Sequence, residues 1–170
     1  MANDSLKIGF IGLGALGQGL CSSLVRAGFS TTVTDLNQEA AQPLVAAGAA
    51  WSADVAGVCR GADVVITALP SPAVSRKVVE GPGGVFENMA PGGVWIEMST
   101  TDFEDLQRLQ SEATLRGISV LECPVTGGVH LANSGEITVL VGGEEGVYKR
   151  VEPLLQAMGG QIIYMGKLGN

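Results

Sequence analysis

Basic side chains are scarce in this 170-residue chain. Lysine and arginine number 10 against 17 aspartates and glutamates, a net charge of −7 with histidine neutral. No basic stretch appears, and a nucleic-acid partner needs a cationic face that displaces counterions from phosphate, so that class of partner is set aside. Long apolar runs are missing too: none approaches the ~20 residues that cross a bilayer. Met1-Ala2-Asn3-Asp4-Ser5 has neither the charged nor the apolar part of a signal peptide, so no membrane association and a cytoplasmic location are expected. Cysteine is limited to Cys21, Cys59 and Cys123, odd in number and without a C-x-x-C pair. That pattern supports neither a disulfide framework nor a zinc site, and no metal is expected. Cys21 and Cys59 fall in helical patterns as small packing residues, and nothing beside Cys123 marks an activated thiolate. There is no low-complexity tract, no composition break and no internal repeat, which predicts one domain over residues 1–170.

Glycine, by contrast, is abundant, with 25 residues, and its placement near the start carries information. In Lys7-Ile8-Gly9-Phe10-Ile11-Gly12-Leu13-Gly14-Ala15-Leu16-Gly17 a short apolar run flows into G-x-G-x-x-G and then into a helical pattern. Gly12 suits the tight strand-to-helix turn, Gly14 lets a phosphate approach the backbone, and Gly17 lets the helix lie close on the strand. The free N–H groups and the positive end of the helix dipole then face an anion. A second apolar run, Ser30-Thr31-Thr32-Val33-Thr34, ends in Asp35 at about the ~20-residue distance that the dinucleotide fingerprint requires. Asp35 is expected to accept hydrogen bonds from the adenosine ribose and to repel a 2′-phosphate, which favours NAD over NADP. The alternative is that Asp35 caps a helix starting near Asn37.

Apolar runs rich in β-branched residues alternate with helical patterns throughout, the signature of an α/β, Rossmann-type doubly wound, mostly parallel sheet. Strands are predicted at 7–11, 31–34, 49–51, 63–67, 93–97, 119–122, 138–141 and 161–164. Helices are predicted at 15–27, 38–46, 54–60, 72–79, 102–116, 129–133 and 145–158. Gly28, Gly48, Gly61, Gly117 and Gly159 stand where a left-handed residue would end a helix.

Two loops at strand ends are candidate cofactor contacts: Leu69, Pro70 and Ser71 on the adenosine side, and Thr100 on the nicotinamide side. Ser71 and Thr101 read equally as helix caps, and the two roles are compatible. A third segment, Leu121-Glu122-Cys123-Pro124-Val125-Thr126-Gly127-Gly128-Val129-His130, ends a strand in a hydroxyl and two glycines. Its donors suit a carboxylate or an oxyanion, and it reads as well as a proline turn with a threonine cap. His130, the single histidine, is either directed into the crevice, orienting substrate, or a surface or packed helix residue.

Taken in order, Phe10 to Gly17, Thr67-Ala68-Leu69-Pro70, Met98-Ser99-Thr100 and Glu122 to Gly128 resemble the β-hydroxyacid dehydrogenase family, which includes 3-hydroxyisobutyrate dehydrogenase, tartronate semialdehyde reductase and 6-phosphogluconate dehydrogenase. The resemblance runs over essentially the whole chain. It implies an N-terminal NAD(P)-binding domain in which Gly12, Leu13, Gly14, Ala15, Leu16 and Gly17 seat the cofactor. It implies hydride exchange between a small 3-hydroxy acid and its aldehyde or ketone, with Thr126, Gly127 and Gly128 binding the substrate carboxylate. The chain departs from the family's common residues at Leu16 (methionine), Glu122 (aspartate), Cys123 (alanine) and Thr126 (serine). The family's general acid/base lysine is expected a few residues beyond Asn170, followed by an all-helical domain through which homo-oligomers form. Lys167 comes too early to be that lysine and reads as a solvated residue. The chain is therefore read as the cofactor domain of such a dehydrogenase, inactive alone; the alternative is a free-standing dinucleotide-binding module that works with a partner.

Overall fold

A computed structural model describes residues 6–170; residues 1–5, on which the leader reading rests, lie outside the described residues. Strand and helix alternate as follows: β1 (Lys7–Ile11), α1 (Ala15–Arg26), β2 (Ser30–Thr34), a 3-10 turn (Gln38–Ala41) running into α2 (Gln42–Ala46), β3 (Ala50–Trp51), α3 (Val55–Cys59), β4 (Val64–Thr67), α4 (Pro72–Glu80), α5 (Val85–Asn88) and β5 (Val94–Glu97). There follow α6 (Phe103–Leu115), β6 (Ser119–Glu122), β7 (Val125–Thr126), α7 (Gly128–Ser134), β8 (Ile137–Gly143), α8 (Glu145–Met158) and β9 (Gly159–Gly166).

Among the described residues nine strands form one sheet in the order β3-β2-β1-β4-β5-β6-β8-β7, with β9 on the free side of β8. The first six strands are mutually parallel. Because the chain winds outward from β1 to β3 and then returns to β4, a crevice opens at the carboxyl ends of β1 and β4, the topological switch point. Both faces of the central strands are covered, so their sequences are apolar without alternation. Leu20 and Leu24 of α1, Leu44 of α2, Ala132 of α7 and Val151 and Leu154 of α8 bury one face. Val58 of α3, Val79 of α4, Phe86 of α5 and Leu106 and Leu109 of α6 bury the other. The second face is anchored by Trp95, fully buried, with Phe86 edge-on to its ring at 5.6 Å.

The sequence pattern missed three things. It gave no signal for α5, a single turn after Gly84, or for β7, two residues long. Strands β6 and β7 are one line of chain broken at Cys123-Pro124, and β8 runs antiparallel along both pieces. Proline has no N–H for the ladder; its carbonyl still accepts from Leu140 N–H at 2.9 Å, and the Cys123 N–H turns the other way to the Glu97 carbonyl at 2.8 Å. Third, Gly159 does not end α8 in a left-handed turn as expected. Its φ is −124° and it enters β9 directly, where a Cβ would stand 2.8 Å from the Ile137 carbonyl oxygen. Close approach of the α8–β9 corner to β8 is the reason for a glycine there.

All three thiols are buried. Burial pushes Cys21 and Cys59 up to about 12 and raises Cys123 as well, the neighbouring Glu122 charge adding to it. At pH 8 the folded chain therefore holds almost no thiolate. With an aromatic disulfide reagent at pH 8, we expect negligible labelling of the native chain over minutes and three equivalents after denaturation. Rapid labelling of the native chain would show that the sheet opens around β6 and β7.

Candidate functional site

The three fingerprint glycines each have a distinct surrounding. Gly12 has φ +99°, and a Cβ there would lie 2.2 Å from the Ala68 carbonyl oxygen. At Gly17 a Cβ would lie 2.1 Å from the Gly12 carbonyl oxygen, so α1 can cross β1 this closely only with glycine. Gly14 is different: its backbone is extended, and nothing lies within 4 Å of where a Cβ would be. The space above Gly14 is thus open from the outside. No side chain caps α1 and its first turn holds no acidic residue, which leaves the first-turn N–H groups and the positive dipole end directed at that space.

Asp35, half-buried at the end of β2, accepts the Leu13 N–H at 2.6 Å and the Asn37 N–H at 2.8 Å. One carboxylate oxygen is thereby tied to the glycine turn, and each oxygen keeps acceptor capacity for hydroxyls. The cap at the start of the 3-10 turn is Asn37, whose side chain accepts from Glu39 N–H, so Asp35 is not the helix cap of the alternative reading. Leu13 contributes to the turn and not to the open surface, since its side chain is 2% exposed and its N–H goes to Asp35.

Across the crevice stand the loops after β4 and β5. The Leu69 N–H donates to Ser99 Oγ at 2.7 Å, and the Ser99 N–H donates to Glu97 Oε1 at 2.8 Å. Ser71 caps α4 through the Val74 N–H. The cap of α6 is Asp102, not Thr101.

A cleft of about 830 Å³ connects these parts, and its lining includes Gly12, Gly14, Ala15, Leu16, Gly17, Asp35, Leu69, Pro70 and Thr100. Leu36, 107% exposed, forms its rim beside Asp35. Sequence reading did not single out Leu36, Asp54, Val74, Lys77, Val78 or the 82–84 turn, all of which line the cleft. Helical spacing of Val74 and Val78 one turn apart on α4 was the available signal. Ser71 does not reach the lining, nor do Thr126, Gly127, Gly128 and His130, although Pro124 and Val125 do. The 126–130 segment is exposed and follows Val125 in the chain. Gly127 and Gly128 have φ of +126° and +79°, and no side chain caps α7, so Thr126 is not its cap. His130 sits on the exposed surface of α7. Cys123 faces the core, and the Glu122 carboxylate accepts the Gly169 N–H at 2.9 Å, which holds the end of the chain against the rim of the sheet. Among the described residues there is no cluster of side chains able to hold a metal ion and no helix long and apolar enough to cross a membrane.

A doubly wound sheet, a glycine turn open above Gly14 and an acid at the end of β2 define a dinucleotide-binding protein. Comparison with known proteins gives the family. Residues 7–166 match the NAD-binding domain of 6-phosphogluconate dehydrogenase, and the chain belongs to that family. It is 33% identical to the 2-(hydroxymethyl)glutarate dehydrogenase of Eubacterium barkeri over 97% of the chain and 55% of that protein. It is also 33% identical to the human cytokine-like nuclear factor N-PAC, over 96% of the chain and 30% of that protein. The structure of Mycobacterium tuberculosis 3-hydroxyisobutyrate dehydrogenase with L-serine superposes with a TM-score of 0.89 at 33% identity, covering 96% of this chain and 55% of that one. The chain thus spans about half the length of the dehydrogenases it matches.

The glycine geometry separates ligand approach from folding. Gly14→Ala should leave stability within ~0.5 kcal/mol of the parent while weakening NADH about tenfold, because its methyl occupies the open space. Gly17→Ala should cost about 1–3 kcal/mol of stability by forcing α1 off the Gly12 carbonyl. Chemical denaturation together with NADH titration checks both; a Gly14→Ala chain with parental NADH affinity would place the cofactor elsewhere.

Proposed function

We propose that the chain is the cofactor half of an NAD-dependent dehydrogenase that acts in the cytoplasm on a small 3-hydroxy acid of the hydroxyisobutyrate or tartronate semialdehyde kind. The observation that carries this reading is the open approach over Gly14 at the uncapped end of α1, continuous with Asp35 on one side and Thr100 on the other. The first-turn amides of α1 hold the pyrophosphate, Asp35 takes the adenosine ribose hydroxyls, and the loop carrying Thr100 takes the nicotinamide end. When bound, the nicotinamide supplies the hydride acceptor. The exposed Thr126 hydroxyl and the Gly127 and Gly128 amides hold the substrate carboxylate, with His130 at the margin of that site. None of these side chains is assigned as the proton acceptor for the substrate hydroxyl on this reading, in which that role belongs to the lysine the resemblance implies. General acid/base help is worth on the order of 10²–10⁴ in rate, so the chain by itself turns over negligibly.

One observation favours a second reading, a dinucleotide-binding module that is not catalytic: the same domain at 33% identity lies within a protein named as a nuclear factor and not as a dehydrogenase.

Nicotinamide fluorescence titration tests the common ground. NADH should bind at least about tenfold more tightly than NADPH, because a 2′-phosphate would lie against the Asp35 carboxylate. Asp35→Asn, which keeps an acceptor for the Leu13 N–H and removes the charge, should narrow that gap. Preferential binding of NADPH by the parent chain would refute the role given to Asp35. Oxidation of a 3-hydroxy acid by residues 1–170 at ordinary enzyme rates would refute the missing acid/base.

A further inference from the structure

Glu97, the last residue of β5, is fully buried. Among the described residues no lysine or arginine pairs with it; the ion pairs lie elsewhere, on α4, α6 and α8. A buried carboxylate without a cation is unfavourable unless hydrogen bonds replace its water, and an apolar side chain would serve the core better. Here the replacement is complete. Oε1 accepts from Thr67 Oγ1 at 3.0 Å and from the Ser99 N–H at 2.8 Å, and Oε2 accepts from Ser75 Oγ. The network extends at both ends: Trp95 Nε1–H donates to Thr67 Oγ1 at 2.9 Å, and Ser99 Oγ accepts the Leu69 N–H at 2.7 Å.

The three donors come from three walls of the cleft. Thr67 ends β4, just before Leu69 and Pro70; Ser75 lies on α4 beside Val74; Ser99 adjoins Thr100 in the loop after β5. A single carboxylate therefore ties β4 and α4, which form one β-α unit, to the loop after β5, which belongs to the next. The opposite end of the cleft, Asp35 and Leu36 after β2, is separated from β5 by β1 and β4 and is held by its own bond to Leu13.

We propose that Glu97 is a positioning residue for the nicotinamide half of the cofactor: by joining Thr67, Ser75 and Ser99 it fixes the loop that carries Thr100 and, through the bond from the Leu69 N–H to Ser99 Oγ, the loop that carries Leu69. Leu69 is assigned by this link to the nicotinamide half and not to the adenosine side expected from the sequence; the adenosine half, seated at Asp35, is left unaffected. This rests on the reading of the cleft as the dinucleotide seat. Glu97 touches neither cofactor nor substrate and acts through Ser99.

Binding of NADH and of 5′-AMP, measured side by side on the full chain with its melting temperature, tests the proposal. Glu97→Ala should weaken NADH about tenfold, the effect of leaving a buried donor unpaired, and change 5′-AMP by less than about threefold. Glu97→Gln should restore NADH to within about threefold of the parent: its carbonyl still accepts from Thr67 and Ser99, and its amide can donate to a Ser75 hydroxyl that has rotated. If Glu97→Ala does not fold, Ser99→Ala removes only the acceptor for Leu69 and should show the same split between the two ligands. Parallel loss of NADH and 5′-AMP, or unchanged NADH affinity in a folded Glu97→Ala or Ser99→Ala chain, overturns the proposal. A parent chain that binds neither ligand overturns the cleft reading itself, and that is known before any substitution is made.

Discussion

The close approach of α1 to β1 is the constraint on which the rest depends. Three chain segments meet there with no room for a β-carbon: the Gly12 turn lies against the Ala68 carbonyl, and Gly17 lies against Gly12. Two consequences follow from this crowding. The helix begins directly over the ends of β1 and β4, so its dipole is aimed at the switch point of the sheet and not at bulk water. The turn is also left with no polar side chain of its own, so what it offers an anion is backbone N–H groups. Backbone donors are fixed by the fold and carry no rotamer entropy, which makes this end of the cleft preorganised.

The opposite side of the cleft is built by another physical means. Loops after β4 and β5 have no tight glycine turn, and the helices they enter are capped by Ser71 and Asp102. The relative position of these loops comes from side-chain hydrogen bonds, with Glu97 accepting from the Thr67 and Ser75 hydroxyls and the Ser99 N–H, and Ser99 Oγ passing the constraint on to Leu69. Asp35 is intermediate: a side chain, yet one whose carboxylate is bonded to two backbone N–H groups. The cleft is thus rigid by steric exclusion on one wall and by satisfied buried polarity on the other. The second means is the more vulnerable, because a partly satisfied buried network is worse than none.

Much of this was legible in the sequence, and the reasons differ from part to part. The parallel order followed from apolar runs alternating with helices, and the tight turn at Gly12 and the close helix packing at Gly17 followed from the glycine spacing between strand and helix, since each is a property of the backbone. What stayed hidden depends on contacts distant in sequence. Glu97 looks like an ordinary acid at a strand end until Thr67 and Ser75, 30 and 22 residues away, are brought to it. Leu13 could not be separated from its neighbours because its orientation is set by Asp35. The break at Cys123-Pro124 was invisible because β8, which spans both halves, comes later in the chain and runs the opposite way. Gly159 misled because a glycine after a helix has two uses, a left-handed stop or a close approach, and the sequence does not distinguish them.

The cleft and the segment that follows its Val125 wall differ in their exposure to water. The cofactor seat has walls on both sides, whereas residues 126–130 are all exposed. A carboxylate held there by a threonine hydroxyl and two glycine amides would exchange water contacts for protein contacts of similar worth, and little net affinity results. The same donors become effective only when water is excluded, since lowering the local dielectric strengthens each charge-assisted hydrogen bond. Glu122 bears on this point: by accepting the Gly169 N–H it holds the 166–170 segment against the sheet edge beside Gly142, at the same carboxyl-end rim of β6 from which the 123–128 loop departs. Chain that continued from there, or a partner docked there, would begin next to the exposed donors. On the proposed reading, the dinucleotide lies between two walls of the cleft, while donors at 126–130 would gain strength only from a further wall.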